Sequence, residues 1–245
     1  MIADTDFSGK TVLVVGGSAG IGNAAAQAFR ARGAEVHVWA RKPSAEDYAD
    51  APGSDMTGLH YHQVDVSDFD AVEAWAPPFD RLDVLVCCQG HVLYRRAEFQ
   101  VKGFQEVLDV NLTSNMAIIG RFQPMLETAK GSVIVVSSTA AFHATVGNPA
   151  YTASKAGAVA LVRTLAQGMA ASGVRVNGLA PGFVPTRMTR VTTDREDRAE
   201  TMRARIPMGR FGQPEEMAGV CLFLASPLAS YVTGQTIICD GGLVL

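Results

Sequence analysis

Val15 runs directly into Gly16-Gly17-Ser18-Ala19-Gly20-Ile21-Gly22, a G-x-x-x-G-x-G stretch between two differently patterned segments. Before it, residues 11–15 are apolar and mostly β-branched, the pattern of a buried strand. After it, residues 21–31 are alanine-rich and read as a helix, closed by Gly33. A strand that turns through glycines into a helix lets the backbone approach a pyrophosphate. The helix then meets the phosphates with free N–H groups and its positive dipole end. A side chain at Gly16, Gly20 or Gly22 would obstruct that approach, with Ser18 and Ile21 completing the turn. The plain alternative is a tight turn that binds nothing, and the strand-turn-helix context argues against it.

The same alternation continues along the chain. Apolar runs at 36–39, 61–66, 84–87, 133–136, 174–179 and 235–239 read as further strands. Helical patterns fall at 68–75, 99–128, 149–171 and 214–225, the last with Pro214 at its start, where proline is tolerated. Residues 42–58 carry Pro43, Pro52 and Gly53, so no long helix is expected there. Seven strands separated by helices, with no repeat or linker, predict one doubly wound α/β domain over 1–245 with a parallel sheet. Residues 183–212 interrupt the pattern with Pro185, many charges and scattered methionines, and a substrate lid is the expectation.

Bulk properties narrow the partners. With 245 residues, 48% hydrophobic and 18% charged, the chain has ample material for a core. A net charge of −3 gives no basic excess for nucleic acid. No apolar run reaches the roughly 20 residues that span a bilayer, and residues 1–7 lack a basic-then-apolar leader. The expected compartment is the cytoplasm. Cys87, Cys88, Cys221 and Cys239 have no metal or redox spacing, so reduced, mostly buried thiols and no metal site are expected.

The tail of the second strand reads Trp39-Ala40-Arg41-Lys42. A carboxylate there would bind ribose hydroxyls and favour NAD. Arg41 instead offers a forked donor pair for the extra phosphate of NADP, which is the favoured cofactor, with NAD the alternative.

Ser137-Ser138 ends the fifth strand, where an open sheet offers its ligand crevice. Tyr151 and Lys155 lie four apart on the next helix and so share a face. Taken singly, such a pair is commonly a surface feature. The run Tyr151-Thr152-Ala153-Ser154-Lys155, with Ser138 and the glycine turn before it, resembles the classical short-chain dehydrogenase/reductase family.

The resemblance covers the whole chain and implies further roles. Asp65 and Val66 are similar to the family's adenine-contacting pair, and Gly90 to its glycine after the fourth strand. Asn111 stands at the helix-kinking, proton-relay asparagine. Pro181, Gly182, Val184 and Thr186 resemble the nicotinamide-side motif, and Asp240-Gly241-Gly242 the closing turn. The implied chemistry is hydride transfer between a secondary alcohol and a ketone. Tyr151 exchanges the proton, Ser138 holds the substrate oxygen, and Lys155 holds ribose and lowers the tyrosine pKa. Homodimers or homotetramers are also implied.

Three departures stand out: Val15 in place of threonine, Cys88-Gln89 in place of Asn-Ala, and a neutral Ala19. The first two predict weaker bracing of the cofactor loop. For the substrate pocket, His91, Leu93, His143, Val146, Phe183 and Met188 are candidates beside Ser138 and Tyr151. The long helices carry Pro124 and Ser172 where carrier-dependent reductases have basic residues, with Arg121 and Lys130 nearby. A free small-molecule alcohol or ketone is therefore placed ahead of 3-oxoacyl-[acyl-carrier-protein] reduction. A non-catalytic NADP-binding sensor is the alternative of another class, and its usual signature, a missing Tyr or Lys, is not present.

Overall fold

A computed structural model describes residues 5–245 of the chain, so the leader reading on 1–7 lies partly outside the described residues. Seven strands form one sheet in the order β3-β2-β1-β4-β5-β6-β7, and every pairing is parallel. They are β1 Thr11–Val15, β2 Glu35–Ala40, β3 His60–Gln63, β4 Val84–Cys87, β5 Ser132–Val136, β6 Arg175–Pro181 and β7 Thr236–Cys239. The doubly wound sheet expected from the alternating pattern is the one observed.

Strand β1 shows why the sheet needs helices on both faces. Its five residues are all buried. Val12 and Val14 enter one core with Ala25, Ala26 and Phe29 of α1 (Gly20–Arg30) and Met217, Cys221 and Leu222 of α8 (Pro214–Ala225). Leu13 and Val15 enter the other, with Ile118, Ile119 and Phe122 of α4 (Ser114–Ala129) and Val162 and Ala166 of α5 (Pro149–Met169). The valine, leucine, isoleucine, phenylalanine and methionine side chains among these each contribute about 1.5–3 kcal/mol when fully buried. The remaining helices are α2 Phe69–Ala74, α3 Val101–Leu108, α6 Arg190–Thr193 and α7 Glu196–Arg203.

The helical pattern over 99–128 is one path with a defect in it. Helices α3 and α4 are joined by a π-helical turn at Asp109–Thr113, with Asn111 buried at its centre. A π turn shifts the backbone register by one residue, at the position where the resemblance implies a helix-kinking asparagine. Strand β3 is shorter than the apolar run that predicts it, although the Val64 N–H still reaches the Ala40 carbonyl of β2 at 2.9 Å. Residues 183–212 hold α6 and α7 and a small core of their own, Ala199, Ile206 and Phe211.

β1 lies between β2 and β4, so the chain reverses its winding direction there. The crevice outside the carboxyl ends of the strands opens at that reversal.

Candidate active site

The turns that follow the strand ends carry most of the residues singled out from the sequence. Gly16 follows β1, Arg41 follows β2, Asp65 lies beyond β3, Gly90 beyond β4, Ser138 beyond β5 and Gly182 follows β6.

The glycine turn accepts no side chain. Gly16 sits at φ +75°, and a Cβ there would stand 2.8 Å from the Gln89 nitrogen. At Gly22 it would stand 2.3 Å from the Gly16 oxygen. Helix α1 opens with no acidic residue in its first turn and no side-chain cap. This cradle fits the pyrophosphate of a dinucleotide. A Cβ on Gly20 would meet Thr186 at 3.1 Å, so the motif after β6 closes over the same turn.

Bracing of the cradle is stronger than Val15 and Cys88 suggest. Gln89 sends its amide nitrogen to Ser114 Oγ and Asn115 Oδ1, both at 2.8 Å, and so ties the turn after β4 to α4. Asn23 donates to the carbonyls of Gly17 (3.1 Å) and Asp55 (2.8 Å) and accepts the Asp55 N–H at 3.0 Å. Neither brace is legible in the sequence, because each depends on distant partners.

At the end of β2, Lys42 is engaged with the Asp47 carbonyl and the Tyr48 ring. Arg41 is exposed and in no ion pair among the described residues. Burial pushes the Asp65 carboxyl up, but the Ser67 hydroxyl and N–H and the Arg41 charge outweigh it and hold it down.

Ser138, Tyr151 and Lys155 are brought together. Lys155 is buried, and its Nζ lies 5.7 Å from the centre of the Tyr151 ring. Nζ donates to the Val136 carbonyl at 2.9 Å, while Ser137 Oγ donates to the Lys155 carbonyl at 2.8 Å. Burial pushes the ammonium down to about 8, against the pull of the Cys88 thiol. A Cβ on Gly90 would stand 4.0 Å from Nζ and 3.2 Å from the Met188 methyl, so these three meet at one point. Burial pushes the Tyr151 phenol up, and the Ser138 hydroxyl against it pulls it down; Tyr94, Cys88 and Glu98 add to the rise. The lowered tyrosine pKa expected from the resemblance is therefore not found in the protein alone, where desolvation outweighs the Ser138 hydrogen bond.

Asn111 is committed elsewhere than to Lys155. Its Oδ1 accepts the His91 N–H at 2.7 Å, and its Nδ2 donates to the His91 carbonyl (2.9 Å) and Ser154 Oγ (3.0 Å). It clamps the loop after Gly90 to α5.

Several expected pocket residues have contacts or exposure of their own, apart from the meeting point at Gly90. His91 Nε2 pairs with Glu106 of α3 at 2.9 Å, and Leu93 packs toward Gly103 of the same helix. His143 bonds the neighbouring Ala144 carbonyl in an exposed loop, and Val146 is fully exposed. Phe183 packs on Phe211 with ring centroids 6.3 Å apart, in the small core of 183–212. Val184 is buried in the main core. Alternation and loop position do not specify side-chain direction, so sequence reasoning had no means of sorting these. It also missed Tyr94, whose hydroxyl donates to the Met188 carbonyl at 2.7 Å, and the buried Glu98.

All four cysteines are free thiols, with Cys87 and Cys221 buried. Among the described residues no helix is long and apolar enough to cross a membrane. None of their His, Cys, Asp and Glu side chains form a group of three that could hold a metal ion.

The sequence matches the family profile described as enoyl-(acyl carrier protein) reductase over residues 15–244. It is 38% identical to the 3-oxoacyl-[acyl-carrier-protein] reductase FabG of Chlamydia pneumoniae, covering 98% of this chain and 99% of that protein. The chain belongs to the classical short-chain dehydrogenase/reductase family. As a member it is an NAD(P)-dependent oxidoreductase acting on the alcohol–carbonyl pair. It is also 34% identical to the 2-dehydro-3-deoxy-D-gluconate 5-dehydrogenase of Bacillus subtilis, over 96% of this chain and 95% of that one. Among solved structures, the Pseudomonas aeruginosa RhlG/NADP active-site complex superposes with a TM-score of 0.89 at 32% identity, covering 98% of each chain.

Proposed function

We propose that the chain interconverts a compact secondary alcohol and its ketone with NADP(H), using Tyr151 as general acid and base. The observation that carries this reading is the meeting of Tyr151, Ser138 and Lys155 beside Gly90 and Met188, on the same side of the sheet as the glycine cradle. Gly16, Ser18, Gly20, Ile21 and Gly22 would hold the pyrophosphate, Asp65 and Val66 the adenine, and Pro181, Gly182, Val184 and Thr186 the nicotinamide side. Arg41, exposed at the end of β2, favours NADP over NAD, and the RhlG relative binds NADP.

The bound cofactor supplies or accepts the hydride. The Ser138 hydroxyl donates to the substrate oxygen and stabilises its developing charge. The Tyr151 phenol gives that oxygen a proton in reduction and takes one in oxidation. Lys155, held at Nζ by Val136, keeps a positive charge beside the phenol and would hold the ribose hydroxyls of the bound cofactor. Asn111 holds the loop that begins at Gly90. Residues 183–212, tied to Tyr94 through Met188, close over the substrate as a lid.

A free small molecule remains ahead of a carrier-bound substrate. Arg121, one candidate basic contact for an acidic carrier, is spent on the Glu73 and Trp75 carbonyls at 3.1 Å. The carrier-dependent reading is favoured by the 38% identity to FabG. The same proposal takes the enzyme as cytoplasmic, and as a homotetramer or homodimer. NADPH and NADH consumption over a panel of cyclic and aliphatic ketones, sugar-acid ketones and a 3-oxoacyl thioester on carrier protein tests both readings. Turnover of a free ketone with NADPH is expected. Turnover of the carrier thioester alone would reverse the order, and none with any carbonyl would overturn both.

A further inference from the structure

Glu98 is a carboxylate with no exposed surface, in a short 3-10 turn at Ala97–Phe99. Its Oε1 accepts the Leu93 N–H at 3.0 Å and the Asn148 amide at 3.2 Å, and its Oε2 accepts the Tyr151 N–H at 3.0 Å. It forms no ion pair among the described residues. A buried charge is costly unless hydrogen bonds replace its water, and three N–H donors do so here.

The donors are placed around the site. Tyr151 is the third residue of α5, and its N–H is one of those a helix leaves without an internal partner. Asn148, at the capping position, makes no cap bond; its amide goes to the Leu93 carbonyl (2.9 Å) and to Glu98. Glu98, from a separate turn, thus serves as the cap of α5, with negative charge at the positive end of a 21-residue helix. Leu93 lies on the loop that begins at Gly90, and the next residue, Tyr94, carries the connection on to Met188.

We propose that Glu98 is a positioning residue for the reaction, fixing the first turn of α5, and with it the Tyr151 phenol, against Ser138 and the loop from Gly90 to Tyr94. The inference rests on the reading of Tyr151 as the proton-transfer group. Glu98 does not touch the reacting atoms and acts through the Tyr151 backbone. Its charge also reaches the phenol. Burial, Tyr94, Cys88 and Glu98 push Tyr151 up, Ser138 pulls it down, and the Lys155 ammonium faces the same ring.

Glu98→Gln keeps the shape but turns an NH2 group against N–H donors and removes the charge. Glu98→Asp keeps the charge and withdraws it by one methylene. For both, kcat and its pH profile with the ketone found in the screen, the NADPH dissociation constant, and amide exchange at Tyr151 and Leu93 without substrate are measured. For Glu98→Gln, kcat is expected to fall about 10- to 100-fold, with NADPH affinity within about twofold of the parent. The limb that reports the phenol moves to lower pH, and Tyr151 amide exchange speeds by at least about tenfold. Glu98→Asp loses kcat with the limb unmoved. Should Glu98→Gln fail to fold, Glu98→Asp and Asn148→Ala, which removes one of the three donors, carry the test through kcat and exchange. A parent protein inactive with every carbonyl sinks the functional reading, and the exchange data still decide whether Glu98 holds the turn. Parent-like kcat and pH profile in Glu98→Gln, or unchanged Tyr151 exchange, would overturn the inference.

Discussion

Lys155 Nζ donates to the Val136 carbonyl at 2.9 Å, so the buried ammonium is pinned to the last residue of the strand that leads to Ser138. Strand β5 and helix α5 are thereby locked at the point where the proposed chemistry occurs. Lys155→Met fills the slot with a side chain of similar length and no charge. Its kcat is expected to fall by about 100-fold or more, with the fold intact by circular dichroism. Parent-like turnover would exclude a part for Lys155 in the reaction.

Gly22 tests the cradle independently of chemistry. A methyl group there would stand 2.3 Å from the Gly16 oxygen, a main-chain atom held by the turn. Gly22→Ala is expected to weaken NADPH binding at least about tenfold, measured by fluorescence titration, and to cost about 1–3 kcal/mol of stability. Gly9→Ala, with nothing within 4 Å of its added methyl but φ +71°, separates backbone strain from collision. It should leave NADPH affinity unchanged.

Arg41 bears on cofactor choice. Arg41→Ala is expected to raise KM for NADPH about 10- to 100-fold, one lost charge-assisted phosphate contact, while KM for NADH stays level. Equal effects on both cofactors would place the 2′-phosphate elsewhere.

The pH dependence of stability has a source in strands β2 and β3. His62 Nε2 and His37 Nδ1 are 3.0 Å apart, His37 also faces Glu35 at 3.2 Å, and His60 stacks on His37. Burial, with the charges of His37 and His60, pushes His62 down to about 4 from 6.5. The unfolded chain therefore takes the proton first. Stability contributed by neutral His62 is present above pH 6.5, falls as pH drops toward 4 and levels off below. Screening of this half-buried ring keeps the effect on the order of 1 kcal/mol. His62→Phe, which retains the ring against Trp75, should flatten that slope in urea melts between pH 6.5 and 4. An unchanged slope would exclude His62 as its source.

The strand-glycine-helix junction at Val15 to Gly22 was legible because its physics is local: burial, φ and helix polarity all act within a dozen residues. Tyr151 and Lys155 were legible because a helix fixes their shared face. The directions of His91, Leu93 and Phe183 were not, since each is decided by a partner, Glu106, Gly103 or Phe211, that sequence spacing does not identify. Glu98 carried no signal at all. A glutamate among Arg95, Arg96 and Phe99 reads as a surface charge, and only its burial against the amides of Leu93, Asn148 and Tyr151 gives it a role. The raised Tyr151 pKa was hidden for the same reason, because desolvation is a property of the packed site.

In the proposed division of labour Tyr151 moves the proton while other groups bind the cofactor. Tyr151→Phe removes only the hydroxyl from a site that burial already shapes. Steady-state turnover and NADPH titration on the same preparation measure the two halves together. A fall in kcat of about 1,000-fold or more is expected, with NADPH affinity within about twofold of the parent. Turnover retained in Tyr151→Phe would exclude Tyr151 as the proton-transfer group.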